Sequence, residues 1–139
     1  MTHPRGWLID KSALARLARA SDRDLWQHRV VRGLVRVSSL TLLEAGFSAR
    51  SERDWVAIIT EPPIADMPID GVTPQAESRA LEVQRELTRR GMHRGPGPAD
   101  LLIAATAELQ GLTVLHVDRG FELIADITGQ PLERLTGDF

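Results

Sequence analysis

Short apolar runs alternate with segments of helical periodicity along this chain. Gly6-Trp7-Leu8-Ile9 is too short for a helix, is bounded by Pro4 and Gly6, and predicts a buried first strand. After Asp10, Ser12 is placed to cap a helix carrying Leu14, Leu17 and Ala18 on one face. Ser21 with Asp24 resembles a capping box for a second helix through about Val31. Gly33 interrupts the pattern, residues 34–37 predict a second strand, and Ser38-Ser39 precede a helix containing Leu40, Leu43, Glu44 and Phe47. A further helical segment around Trp55, Ile58 and Ile59 stops at Pro62-Pro63, where the chain cannot continue helically. Residues 65–70 read as a short extended piece, and Pro68 argues for a sheet edge.

The second half repeats the alternation. Thr73-Pro74 is a helix start, with a hydroxyl cap followed by proline at the first helical position, and Ala76, Ala80, Val83 and Leu87 recur at helical spacing until Gly91. Residues 91–98 (GMHRGPGP) form a Gly- and Pro-rich loop. Pro98 opens a helix that is apolar all round and therefore buried, ending at Gly111. Residues 113–117 predict a strand, 119–125 a short helix, and 132–135 a last strand. Alternating βα units with short apolar strands imply an α/β protein with a mostly parallel sheet covered by helices, in a single domain over residues 1–139.

Composition narrows this picture. The 139 residues are 42% hydrophobic and 26% charged, an ordinary globular balance, and without cysteine neither disulfides nor thiolate metal sites exist. No apolar run reaches membrane-spanning length, and the first ten residues lack the basic and apolar regions of a secretory signal, so the expected location is the cytoplasm. A net charge of −2 argues against binding nucleic acid by counterion release alone, although carboxylates gathered around divalent cations invert the local potential. Of the 17 basic residues only Lys11 is lysine; arginine suits bidentate phosphate contacts, and a coding bias explains its abundance equally well.

Four acids stand out by position. Ligands of open parallel sheets bind at the carboxyl ends of strands, where Asp10 and Asp118 both fall. Asp100 lies in the first turn of the apolar helix, and Glu44 is the single acid in the run Leu40-Thr41-Leu42-Leu43-Glu44-Ala45-Gly46-Phe47. Each has a plain explanation: turn chemistry for Asp10 and Asp118, the helix dipole for Asp100, a solvated helix edge for Glu44. As a set they ask for more, because buried acids must be paired, hydrogen-bonded or metal-bound, and too few basic residues lie nearby in sequence to pair them all. Without cysteine or spaced histidines (His3, His28, His93 and His116 show no zinc spacing), carboxylates select Mg²⁺ or Mn²⁺, ions that serve phosphate chemistry.

The sequence resembles the PIN-domain family and, within it, the VapC-type toxins of toxin–antitoxin pairs. The resemblance rests on Leu8-Ile9-Asp10-Lys11-Ser12-Ala13-Leu14, Ser38-Ser39-Leu40-Thr41-Leu42-Leu43-Glu44, the run Pro98-Ala99-Asp100-Leu101-Leu102-Ile103, and Val114-Leu115-His116-Val117-Asp118-Arg119-Gly120-Phe121, in the family's order over nearly the whole chain. It implies a three-layer α/β/α domain and Mg²⁺-dependent endonucleolytic cleavage of RNA. Asp10 and Asp100 are then the principal metal ligands, Glu44 completes the shell, and Asp118 is the fourth, often water-mediated, member. It also implies a homodimer and inhibition by a cognate antitoxin inserting a segment into the active-site groove. Two features depart from the pattern: many relatives have Thr where this chain has Lys11, and Asp118-Arg119-Gly120-Phe121 lacks a tighter acidic pair. Lys11 either meets RNA phosphate or faces solvent, and Ser12 either orients Asp10 or caps the first helix.

Ser12, His93, Arg94 and Arg119 are candidate RNA contacts, with ordinary surface positions as the alternative for the last three. The apolar residues Leu14, Leu17, Trp26 and Trp55 serve either the core or an interface with a second copy or an antitoxin. Two other functions compete with the nuclease. Phosphotransfer through an aspartyl nucleophile wants a second acid two residues after Asp10, where Ser12 stands. A non-catalytic PIN-fold binding module predicts loss of the acids, and all four are present.

Overall fold

The computed structural model describes residues 5–139, so Pro4 and His3 lie outside the described residues. Five strands form one sheet in the order β3-β2-β1-β4-β5: β1 (Trp7–Ile9), β2 (Val35–Ser38), β3 (Ile69–Asp70), β4 (Thr113–His116) and β5 (Leu132–Arg134). Every neighbouring pair is parallel. The helices are α1 (Lys11–Leu14), α2 (Arg23–Val31), α3 (Ser39–Phe47), α4 (Glu52–Thr60), α5 (Pro74–Arg89), α6 (Pro98–Gln110) and α7 (Gly120–Thr128).

Side-chain alternation along β1 sorts these helices into two outer layers. Leu8 joins Val114 in a core shared with α5, α6 and α7, while Trp7 and Ile9 face the opposite side with Val35, Val37 and Leu115 against α1 and α2. The three-layer α/β/α arrangement expected from the sequence is therefore present. Trp26 and Leu17 belong to the second core, Leu14 packs at its edge, and Trp55 is 45% exposed.

Several local signals operate as written in the sequence. Thr73 accepts from the Ala76 amide, Pro74 takes the first turn of α5, and Ala76, Ala80, Val83 and Leu87 are its buried stripe. Gly111 closes α6 with φ of 69°. Other expectations need correction. The first helix stops at Leu14 and is followed by a 3-10 turn over Leu17–Arg19, and its cap is Asp10, whose carboxylate accepts from the Ala13 amide. No capping box forms at Ser21: Asp22 is the cap of α2 and makes no side-chain cap bond. Residues 64–66 are a 3-10 turn, which leaves only Ile69–Asp70 extended. That two-residue strand does take the sheet edge, held by a bidentate pair from Arg36 to Asp70 at 2.7 and 3.0 Å. Because Asp70 is buried, Asp70→Ala is expected to cost about 2 kcal/mol by stranding Arg36. A urea midpoint equal to that of the parent would show that the pair does not anchor β3. Among the described residues, no helix is long and apolar enough to cross a membrane.

Candidate active site

Parallel pairing of β1 with β4 sets the site. Ile9 lies opposite Leu115, and the Asp10 amide donates to the Leu115 carbonyl at 3.0 Å, so both strands deliver their following residues to one rim. Ser12 ties the two segments together. Its hydroxyl lies 2.8 and 2.9 Å from the two Asp10 carboxylate oxygens and accepts from the Val117 amide at 3.0 Å. Ser12 thus orients Asp10, while the capping role belongs to Asp10 itself.

Asp100 arrives on the first turn of α6, where it accepts from the Gly97 amide at 3.3 Å. Asp118 follows β4, exposed, and accepts from the Gly120 amide at 2.9 Å. The segments bearing these two acids touch. A methyl group on Gly120 would stand 3.1 Å from Pro96 Cα and 3.5 Å from the Asp118 carboxylate, so glycine permits the 91–97 loop to lie against the start of α7. Arg94 and His93 in that loop and Arg119 beside Asp118 are all exposed.

Glu44 differs from the expectation. Its helix, α3, buries only Thr41 and leaves Leu43 72% and Phe47 93% exposed, so the surrounding apolar run is no guide to burial. Glu44 is half-buried, and its carboxylate pairs with Lys11 Nζ at 3.8 Å. Lys11 is exposed to solvent, one of its two expected environments, and its ammonium lies beside the Glu44 carboxylate.

Two of the four acids, Asp10 and Asp100, have raised pKa values. Burial raises the Asp10 pKa above the usual carboxylate value, against the lowering effect of the Ala13 amide and Ser12 hydroxyl. Asp100 is pushed up to about 6, first by burial and then by repulsion from Asp118, Asp10 and Glu44. His116, at the end of β4 with its ring against Phe121, is lowered by burial, while the charge on Asp10 pulls the other way. The reading of the sequence missed that histidine as a neighbour of the acids; its signal was its place two residues before Asp118. Its Nδ1 is buried without a partner.

Among the described residues no three such side chains converge into a ready-made metal cage. A cation would nevertheless relieve the raised carboxyl of Asp100, and the oxygen donors of these acids are of the type that a hard divalent ion such as Mg²⁺ or Mn²⁺ takes.

Comparison with known proteins agrees with this fold. The PIN-domain family model matches residues 7–127. Ribonuclease VapC2 of Mycobacterium tuberculosis (strain CDC 1551 / Oshkosh) is 56% identical over 136 residues, covering 98% of this chain and 96% of that protein. Ribonuclease VapC51 of Mycobacterium tuberculosis (strain ATCC 25618 / H37Rv) is 40% identical over 91% of this chain and 90% of its own length. Among solved structures, the DNA-bound VapBC of Salmonella typhimurium matches with a TM-score of 0.74 at 24% identity, over 93% of this chain and 97% of the other. The chain belongs to the PIN-domain family, in its VapC ribonuclease branch.

Proposed function

We propose that this chain is the ribonuclease toxin of a toxin–antitoxin pair, acting in the cytoplasm and hydrolysing RNA phosphodiesters with Mg²⁺, or Mn²⁺ in its place. The observation that supports the reading is the Ser12 hydroxyl bridging the Asp10 carboxylate and the Val117 amide, which draws the ends of β1 and β4, and with them Asp10 and Asp118, to one rim of the sheet. Asp10, Asp100 and Asp118 would hold the ion, with Glu44 completing the set. When bound, the divalent cation supplies Lewis-acid polarisation of the phosphodiester and of the attacking water. The chain's own residues prepare the site: the Ser12 hydroxyl and Ala13 amide fix the Asp10 carboxylate, and the Gly97 and Gly120 amides fix Asp100 and Asp118. Arg94 and Arg119, both exposed, would meet RNA phosphates, and Ser12 would contribute through Asp10. The test is digestion of RNA by the purified chain in Mg²⁺, Mn²⁺ or EDTA; cleavage indifferent to EDTA would overturn the metal assignment.

Two protein partners belong to this reading. A cognate antitoxin is the occupant proposed for the apolar cleft of about 450 Å³ that runs from Lys11 past Leu14, Ala45, Ala57 and Pro63. VapBC complexes from Salmonella typhimurium and Mycobacterium tuberculosis share the fold, at TM-scores of 0.74 and 0.65. A second copy of the chain is proposed for the face carrying Leu43 and Phe47, since so exposed a phenylalanine marks an interface. Phe47→Glu is expected to convert a dimer to a monomer in light scattering without lowering the monomer's melting temperature. An unchanged mass would remove this face from the homodimer.

A further inference from the structure

We infer that Arg16 is a positioning residue of the site: it grips the Ser12 carbonyl and so keeps the Ser12 hydroxyl on Asp10 and on the Val117 amide. The inference rests on the nuclease reading of that site. It starts from a carbonyl that the helix itself leaves open. In a continuing α-helix the Arg16 amide would donate to Ser12. Arg16 instead stands at φ −114° and ψ 0°, and its amide donates to the Ala13 carbonyl at 3.0 Å, where α1 gives way to the 3-10 turn. The Ser12 carbonyl is taken by the side chain of the same residue, with Nη1 donating at 2.9 Å. Among the described residues no carboxylate lies within ion-pair distance of that guanidinium. Its Cζ lies 6.0 Å from the centre of the Phe139 ring, a cation–π contact that leaves the donors free for Ser12.

A charged donor makes a stronger bond to a carbonyl than the missing amide would. Ser12 needs that hold, because α1 has only four residues and a single turn has little stability of its own. The half-buried serine is thus fixed at both ends. Its hydroxyl meets the two Asp10 oxygens at 2.8 and 2.9 Å and accepts from the Val117 amide at 3.0 Å, while Arg16 holds its carbonyl. Turning Ser12 out of this place would break the link between the segments that follow β1 and β4, and would leave the Asp10 carboxylate with the Ala13 amide alone. Arg16 therefore acts on Asp10 through Ser12, without touching the carboxylate.

The test compares the whole chain with Arg16→Met, Arg16→Lys, Ser12→Ala and the double variant of Arg16→Met with Ser12→Ala. For Arg16→Met, kcat for RNA cleavage is expected to fall about tenfold at unchanged KM, the mark of lost alignment rather than lost binding. Arg16→Lys, which keeps a charged donor, should stay within about threefold of the parent. On the Ser12→Ala background, Arg16→Met should change the rate by less than about twofold, since its route to Asp10 is already cut. Amide hydrogen exchange in EDTA reads the hold without RNA or metal: the Val117 and Ala13 amides should exchange at least about fivefold faster in Arg16→Met, with Ala80 in α5 unchanged. Should Arg16→Met melt below the assay temperature, Arg16→Gln takes its place with the same expected outcomes. Unchanged exchange at Val117 and Ala13, a full tenfold loss on the Ser12→Ala background, or a raised KM at unchanged kcat each overturns the inference, the last making Arg16 an RNA contact. A parent that does not cut RNA overturns the nuclease reading and any role of Arg16 in it, while exchange still decides whether Arg16 holds Ser12.

Discussion

Asp10→Asn is expected to reduce Mg²⁺-dependent RNA cleavage by at least about 10³-fold, roughly 4 kcal/mol of lost transition-state stabilisation, while the chain stays folded. The two halves of that result follow from different atoms. Asn keeps the Oδ1 acceptor, so the Ala13 amide still finds its cap at the start of α1, and the Ser12 hydroxyl still has an oxygen to meet. What disappears is the negative charge, and the hydrogen-bond partners of that carboxylate, the Ser12 hydroxyl and the Ala13 amide, are not anionic. No other group at this position can replace it as an anionic ligand. Comparison of cleavage rates at saturating Mg²⁺, with circular dichroism melts alongside, separates the two halves. A variant that is folded and cuts at the parent rate would remove Asp10 from the metal shell.

How far the sequence reveals this site depends on which interactions are local. Strand ends and the rim positions of Asp10 and Asp118 are legible, because a parallel sheet delivers residues after its strands to one edge whatever the helices do. The start of α5 is legible for the same reason, since Thr73 and Pro74 act within one turn. Reading fails where two adjacent groups compete for one task. Asp10 and Ser12 both had the chemistry of a cap, and only the neighbouring Val117 amide, 105 residues away in sequence, assigns the hydroxyl to the site and the carboxylate to the helix. It fails again at Glu44. An apolar run predicts burial, but burial within the chain and burial against another molecule leave the same pattern, and Leu43 and Phe47 turn out to face outward. Lys11 was legible as a departure from the family pattern. Its engagement with Glu44 depends on how α1 approaches α3 and has no local signature.

Asp100→Asn is expected to have opposite effects on stability and on activity. The carboxyl of Asp100 has its pKa raised from 3.8 to about 6, so the folded chain binds this proton more tightly than the unfolded chain does. Between these two values stability therefore falls as pH rises, and above about 6 the full cost of the ionised, repelled carboxylate is present. A raised acid thus destabilises the metal-free fold at neutral pH, and the raised Asp10 acts in the same direction. Asn removes that cost while keeping an acceptor for the Gly97 amide, so in EDTA at pH 7.5 the variant should be more stable than the parent by about 1–2 kcal/mol after allowance for solvent screening. At pH 4 the gap should close, because the parent is then protonated. Adding Mg²⁺ should reverse the order, since the ion stabilises only the chain that binds it, by an amount that grows with its concentration over the dissociation constant. The same proton competes with the ion, so the apparent affinity of the parent for Mg²⁺ should weaken as pH drops through 6. Thermal melts at the two pH values, with EDTA and with a series of Mg²⁺ concentrations, read all four effects. A variant less stable than its parent in EDTA at pH 7.5 would show that Asp100 is chiefly a helix-start residue, with the dipole of α6 outweighing the repulsion of the other three acids.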